Sequence, residues 1–522
     1  VSQEAPTEDT HELAGFGYRQ KLDRTLGSFS SFAVGFSYLS ILTGLPQLFY
    51  MGYAAGGPAF FWTWPTVFLG QFLVALCFAE LAARYPLSGG VYQWSKHIGS
   101  AGMGWMAGWV YLACSGITLA AVALALQITL PQLWSGFQII GSAANPDDAA
   151  KNAVLLGCIL IVFSTIVNSV GVRLLSRINN AGVFAEIVGA ILLVALMAFA
   201  ARRGPSIVLN VEGLGEGRSL GILGAFLAAA LPATYVMYGF DTAGSLAEET
   251  DNPRRRAPRA ILLALASVGL VGGLLIVTAL CAVENPADPQ LGLVSGGMPY
   301  VIKQVLGDRL GRPLLCLLVV AITVCTLTVH AAAVRLMFAM ARDNNLPFSE
   351  TLAHISETSR TPTWPAVFLG ACAILMLVVN VNYPQVIEVM ASVSIVWANL
   401  AYLMVTAPLL SRRLRKAYRG AHPHHFSDAF SMGWWGLPVN VLAVVWGIFV
   451  IVNLSWPRTE IYGTEPARRF SAPLATAAML LAGGSYYWLV RRHKTGVLET
   501  HRAPVTLAPA TMVLDPEGGE RG

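Results

Sequence analysis

Glu186 lies seven residues past Asn179 in RINNAGVFAEIVGAILL, deep in an apolar run. A carboxylate among apolar residues is costly and turns towards a protein interior or a cavity. Shielding from water favours its neutral form, so such a group can take up and release a proton. The plain alternative is a hydrogen-bonded glutamic acid that packs helices. Asp241 is a second carboxylate in apolar surroundings, in MYGFDTAGS. It can N-cap a helix that restarts after it, where the dipole favours negative charge. It can also meet a cationic substrate or coupling ion directly.

Both carboxylates sit in or beside elements that are broken in matching places. One apolar segment reads GFSYLSILTGLPQLF (Gly35–Phe49), the other LAAALPATYVMYGFDTAGSLAEET (Leu227–Thr250). Each carries Gly, Pro or hydroxyl residues where a membrane helix should be least interrupted. Backbone that leaves helical geometry inside lipid is tolerated only where it lines a polar cavity. Paired broken segments at corresponding points of two halves point to a transporter's substrate site. A helix restarting after a break presents free N–H groups and a positive dipole end. The hydroxyls of Ser40 and Thr43 can add donors there, or bond to carbonyls a turn earlier.

The chain has 522 residues, of which 55% are hydrophobic and 12% charged, with mean hydropathy +0.59. A soluble domain carries roughly 25% charged residues, so most of this surface must face lipid. A hydrocarbon core of ~30 Å needs about 20 apolar residues per helix. Twelve spans are expected, near 27–53, 58–84, 100–130, 152–172, 179–201, 219–250, 259–283, 312–341, 364–382, 383–410, 434–456 and 471–490. The broken spans are the first and the sixth, the leading members of two sets of five.

Orientation follows from Lys and Arg in the loops. With the N-terminus in the cytoplasm, 24 of the 34 basic residues lie inside and ten outside. An even number of spans then puts the C-terminus inside as well. The N-terminal stretch VSQEAPTEDTHELAG is polar and acidic, which does not suit a cleavable signal peptide. The tail after about Thr500 has a composition expected of disorder.

The seven cysteines all fall in apolar segments without a CxxC pair, and read as buried free thiols. Trp62, Trp64, Trp134, Trp434, Trp435 and Trp456 lie near span ends, as an interfacial belt requires. Gly104 and Gly108 form a GxxxG pair suited to close helix packing. The HPHH stretch (His422–His425) lacks a partnering cysteine, and no metal site is expected. No GxxxxGK[ST] loop supports an ATP-driven pump, and no HExxH or GxSxG motif supports a membrane hydrolase. The basic runs are juxtamembrane and separated, which suits lipid headgroups rather than nucleic acid.

Three blocks, in order, carry a family resemblance: AELAARYPLSGGVYQWSKHIG (Ala79–Gly99), GFDTAGSLAEETDNPRRRAPRAI (Gly239–Ile261) and RLMFAMARDNNLP (Arg335–Pro347). They resemble the amino acid–polyamine–organocation superfamily. The opening SFAVGFSYLSILTG followed by GGP (Gly56–Pro58) looks most like its amino acid/choline branch, which carries γ-aminobutyrate, choline, polyamines and amino acids. The resemblance implies an all-α membrane protein of twelve helices with a five-plus-five inverted repeat (LeuT-like). The first repeat would cover 27–201 and the second 202–410, with helices 11 and 12 in 411–490 and cytoplasmic tails at 1–26 and 491–522.

The same resemblance implies a substrate site between helices 1, 3, 6, 8 and 10. On helix 1 it falls on Ser40, Leu42, Thr43 and Gly44, where other members use a Gly-rich stretch to hold a substrate carboxylate. Leu42 and Thr43 depart from that pattern. On helix 6 it falls on Tyr238, Gly239, Phe240 and Asp241, with Phe240 resembling the gating aromatic. Ser394 and Trp397 on helix 10, beside Ser392, would complete the pocket or pack. Some proton-coupled relatives place a lysine where Glu186 stands, so Glu186 is the expected ion-coupling residue. His330 on helix 8 would face the site, unless it is a hydrogen-bonded packing histidine. Glu388 is expected to be solvated at a span end. Glu80, Arg84, Glu248, Glu249 and Arg254–Arg256 look like charge pairs at an inner gate.

The expected function is secondary uptake of a small amino acid, ω-amino acid or amine at the plasma membrane, without enzyme activity or cofactor, coupled to a proton. Exchange of one substrate for another is the in-class alternative. A transport-inactive nutrient sensor and a channel are the alternatives from other classes.

Overall fold

The computed structural model describes residues 13–503 except 23, 25, 144, 212–213, 215–219, 358–360, 380, 382–385, 416–429, 464–468 and 495. The HPHH stretch and the last 19 residues therefore lie outside the described residues. Among the described residues the regular elements are all helical.

The first span is α1 (Ser28–Leu39) and α2 (Ile41–Gly56), divided at Ser40. Then come α3 (Thr63–Arg84), a short amphipathic helix α4 (Gly90–Ile98), and a third span of α5 (Ala101–Ala123) and α6 (Ala125–Leu133). The fourth and fifth spans are α7 (Pro146–Val170) and α8 (Val172–Phe199). The sixth is α9 (Gly221–Ala229), α10 (Leu231–Val236), a non-helical stretch, and α11 (Thr242–Ser245). The remaining spans are α12 (Pro253–Ala282), α13 (Gly297–Arg342), α14 (Thr363–Val379), α15 (Val386–Leu414), α16 (Gly436–Ser455) and α17 (Ser471–Leu489).

Each of the twelve expected spans thus has a helical counterpart. Among the described residues, eight stretches are long and apolar enough to cross a bilayer, and the first, Ser28–Arg84, holds two spans. Gly221–Val236 and Thr363–Val379 are shorter apolar helices. α13 begins well before the expected 312 because it merges with a preceding helix across a bend at Gly307 (φ 66°, ψ 179°).

Packing is inside out relative to a soluble domain. Phe184, Ile191, Leu270, Leu375 and Leu481 stand exposed along the helices, while Gln71, Asn179 and Asn399 are buried. α1 packs on α8 and α12, α2 on α13, and α5 on α13 and α15, which brings both broken spans to the centre. α16 and α17 lie outside, against α3 and α5. Gly104 and Gly108 let α5 approach closely: a Cβ would come within 2.7 Å of the Lys96 backbone and 2.8 Å of Met340.

Three expectations need correction here. Trp64 is not in the belt but buried, donating from Nε1 to the Gly269 carbonyl at 2.8 Å. Cys316 is exposed on the outer face of α13, so the thiols are not all buried. Glu388 is also buried, because the Tyr50 hydroxyl covers it with a 2.5 Å hydrogen bond.

Candidate functional site

The break in the first span is built by one residue. Ser40 has φ 23° and ψ 98°, which ends α1 and restarts the chain as α2. A serine at positive φ is strained and needs surrounding structure to hold it. That support comes from α8. The Glu186 Oε1 accepts from the Ser40 hydroxyl at 2.8 Å and from the Leu42 N–H at 3.2 Å. Ile41 N–H makes a further contact with the same carboxylate. The Thr43 and Gly44 N–H groups both bond to the Ser40 carbonyl, at 3.2 and 3.1 Å. Ser40 and Thr43 hydroxyls join at 2.6 Å. The other Glu186 oxygen, Oε2, is buried without a hydrogen-bond partner.

The sixth span breaks at a position only glycine suits. Gly239 has φ +91°, and a Cβ there would run into the Tyr38 ring. Its N–H is satisfied by the Tyr402 hydroxyl at 2.8 Å. That hydroxyl donates to Asp241 Oδ1 at 2.5 Å, and Tyr111 donates to the same oxygen at 2.6 Å. Asp241 makes no side-chain cap bond to α11, so capping is not how its charge is held. Its Oδ2 is buried without a partner.

Between the two breaks lies a small cavity of about 10 Å³, room for a single water. Its wall includes Tyr38, Ser40, Thr43, Gly44, Tyr235 and Tyr238, all buried. Gly44 permits the approach of the two spans, since a Cβ would sit 2.7 Å from Val236. The Tyr238 hydroxyl bonds to Thr118 at 2.8 Å and to Ser394 at 3.2 Å, tying in α5 and α15. The hydroxyls of Tyr38 and Tyr235 have no partner.

Of the expected site residues, Ser40, Thr43, Gly44 and Tyr238 meet at this cavity, and Ser394 stands behind Tyr238. Leu42 contributes its N–H to Glu186, while Gly239 and Asp241 form the adjoining tyrosine cluster. Phe240 does not line the cavity; it packs at 5.8 Å from Phe78 and 5.3 Å from Tyr402. Trp397 turns the other way, donating to Thr476 on α17 at 2.9 Å, so it is a packing residue. His330 is likewise corrected. Its two ring nitrogens meet Ser164 Oγ and the Ala366 carbonyl, both at 3.0 Å, which locks it between α7 and α14.

Sequence reasoning missed Tyr38, Thr118, Tyr111 and Tyr402. Tyr38 had a local signal, two residues before the break. Tyr111 and Tyr402 had none, lying 130 and 161 positions from Asp241. It also missed a polar trio, in which Asn179 Oδ1 accepts from Ser37 and Thr328 hydroxyls, both at 2.8 Å.

The end of the bundle where the described terminal segments cross is built differently. Arg335 grips Glu249 through two bonds of 2.7 and 3.2 Å, and Arg342 grips Glu248 at 2.7 and 2.8 Å. Glu80 pairs with Arg413, and Asp343 with Lys96 at 2.7 Å. The acids therefore pair as expected, but with arginines of α13 and α15 rather than with Arg254–Arg256; Arg254 reaches the Ala83 carbonyl and Arg256 reaches Asp251. Burial alone would push Asp343 up, but the Lys96 and Arg342 charges hold its carboxyl below the usual range. The terminal segments cross here: Arg19 N–H bonds to the His501 carbonyl and Ala503 N–H to the Gly17 carbonyl, each at 3.0 Å. Burial, with Lys21 and Arg342 nearby, pushes the His501 imidazole down to about 4.

The described residues hold no cluster of His, Cys, Asp or Glu that suits a metal ion. A family profile described as amino acid permease matches residues 26–482. The chain is 25% identical over 512 residues to the amino-acid permease BAT1 of Arabidopsis thaliana, covering 92% of this chain and 94% of that one. It is 25% identical over 507 residues to an uncharacterized amino-acid permease of Schizosaccharomyces pombe, covering 93% and 88%. Amino-acid permease 2 of Neurospora crassa is 24% identical over 514 residues, covering 95% and 90%.

Proposed function

This chain belongs to the amino acid permease family, and we propose that it takes up a small amino acid, a γ-aminobutyrate-like ω-amino acid or an amine with a proton as coupling ion. Membership makes it a membrane transporter of amino acids with the twelve-span LeuT-like fold, and not an enzyme. The finer reading rests on Glu186. Its Oε1 is committed to the α2 amides and the Ser40 hydroxyl, while Oε2 is buried without a partner. None of the ion pairs among the described residues includes it. A buried carboxylate with no cation is compensated by binding a proton.

Ser40 links that proton to the substrate, because its hydroxyl bonds to Glu186 and the residue lines the cavity. Proton uptake at Oε2 changes the field at the break, where α1 and α2 meet. Alternating access then follows from helices 1, 2, 6 and 7 rocking against helices 3–5 and 8–10. The loop charges support a plasma-membrane orientation with both termini in the cytoplasm. Residues 27–201 and 202–410 are the proposed inverted repeats.

Proteoliposome uptake tests this reading. With an inward proton gradient, the unmodified protein is expected to accumulate substrate, and Glu186→Gln to lose about tenfold or more of that uptake while keeping counterflow. Gradient-driven uptake unchanged in Glu186→Gln would refute proton coupling through this residue. Swap without accumulation in the unmodified protein would make it an exchanger.

A further inference from the structure

The amides that open α2 are the natural anion site of this molecule, since a broken helix ends on free N–H groups and a positive dipole. Three of them are already engaged. Leu42 N–H, with Ile41 beside it, is held by Glu186, and Thr43 and Gly44 N–H groups by the Ser40 carbonyl. The wall of the cavity also offers no Arg, Lys or His to meet a substrate carboxylate. It offers instead three tyrosine rings, Tyr38, Tyr235 and Tyr238, and the first two have buried hydroxyls without a partner. Aromatic faces and phenol oxygens attract ammonium groups. A second carboxylate, Asp241, stands one step away, with one oxygen unpartnered.

We propose that Glu186 is a resident stand-in for a substrate carboxylate, and that the cavity reads its substrate by the ammonium end alone. Amino acids are then carried as substituted ammonium compounds, and decarboxylated amines bind the same cavity. The inference rests on the reading of this cavity as the substrate site. It differs from proton coupling, since Oε1 keeps the amides whether or not Oε2 carries a proton. It assigns Tyr38 and Tyr235 to recognition of the ammonium group, a role with no counterpart in the sequence reading.

Full-length protein in detergent is tested by thermal shift with two matched series: 4-aminobutyrate, n-butylamine and butyrate, and alanine, ethylamine and propionate. Each amine is expected to stabilise at concentrations within about threefold of its parent amino acid, and the acids not at all. Glu186→Ala, which clears the α2 amides, should shift preference towards the carboxylate-bearing ligand by about tenfold. A site that hydrogen-bonds a carboxylate rejects analogues lacking it by orders of magnitude. Amines weaker than their parents by that margin, stabilisation by the acids, or no shift with any amine would overturn the proposal. If Glu186→Ala does not fold, the series on the unmodified protein decides alone. Thermal shift needs no gradient, so amine binding without gradient-driven uptake would sink proton coupling only. Gradient-driven uptake with strict need for a carboxylate would sink this inference only.

Discussion

Carboxylates at the centre of the bundle and carboxylates at the end where the described terminal segments cross are all buried but held in opposite ways. Glu248, Glu249, Glu80 and Asp343 each face a cationic side chain within ion-pair distance. Glu186 and Asp241 each rest on hydroxyl or amide donors through one oxygen and leave the other unpartnered, with no cation beside them. A buried pair with both partners present is a lock, because removing either partner strands a charge. A buried carboxylate on neutral donors can change its charge and keep its bonds. The end of the bundle thus holds its acids in ion pairs, and the centre holds Glu186 and Asp241 on neutral donors, which is the arrangement the proposed proton coupling needs.

The sharpest way to break this contrast is the same isosteric change in both places. Glu249→Gln strands the Arg335 guanidinium and should destabilise the protein by about 3–5 kcal/mol, seen as a large drop in melting temperature and folded yield. Glu186→Gln keeps an acceptor for Ser40 and Leu42 and should lose no more than about 1 kcal/mol. Equal losses at the two positions would erase the distinction.

Within the centre, the two tyrosines on Asp241 should separate. Tyr402→Phe removes a donor and also orphans the Gly239 N–H, a loss of about 1–3 kcal/mol. Tyr111→Phe removes only one donor, about 1 kcal/mol. Thermal unfolding of both variants checks the order, and a reversed order would mean that the Gly239 bond carries no weight.

The smallest effect concerns His501, which packs edge-on against Phe338 at 5.6 Å beneath the crossing terminal segments. Its folded value of about 4 lies below the ordinary value of about 6.5. The released form therefore binds a proton that the docked form refuses, and docking weakens as pH falls from about 6.5 towards 4. Amide protection factors of residues 496–503, that is, exchange corrected for the base-catalysed intrinsic rate, should fall by about tenfold at pH ~5.5 relative to pH ~7.5, and His501→Phe should flatten that dependence.

Much of the architecture was legible because hydrophobic length is a local property. Twelve apolar runs, two of them interrupted at Ser40 and Gly239, needed no knowledge of neighbours. Glu186 stood out for the same reason, as a charge where charges are costly. The directions of side chains were not legible. The sequence leaves Trp397 and His330 between the site and packing, because a helix that is apolar all round has no polar stripe to reveal its rotation. Only packing turned Trp397 to Thr476 and His330 to Ser164.

The chain by itself determined that it must lie in a membrane, where its helices fail, and which carboxylates are exceptional, because each is set by residues adjacent in sequence. Tertiary structure alone decided what those carboxylates touch. Glu186 meets Ser40 across 146 positions, and Asp241 meets Tyr402 across 161. Hydrogen bonds form over a few ångströms, and only the packed bundle brings such distant positions that close.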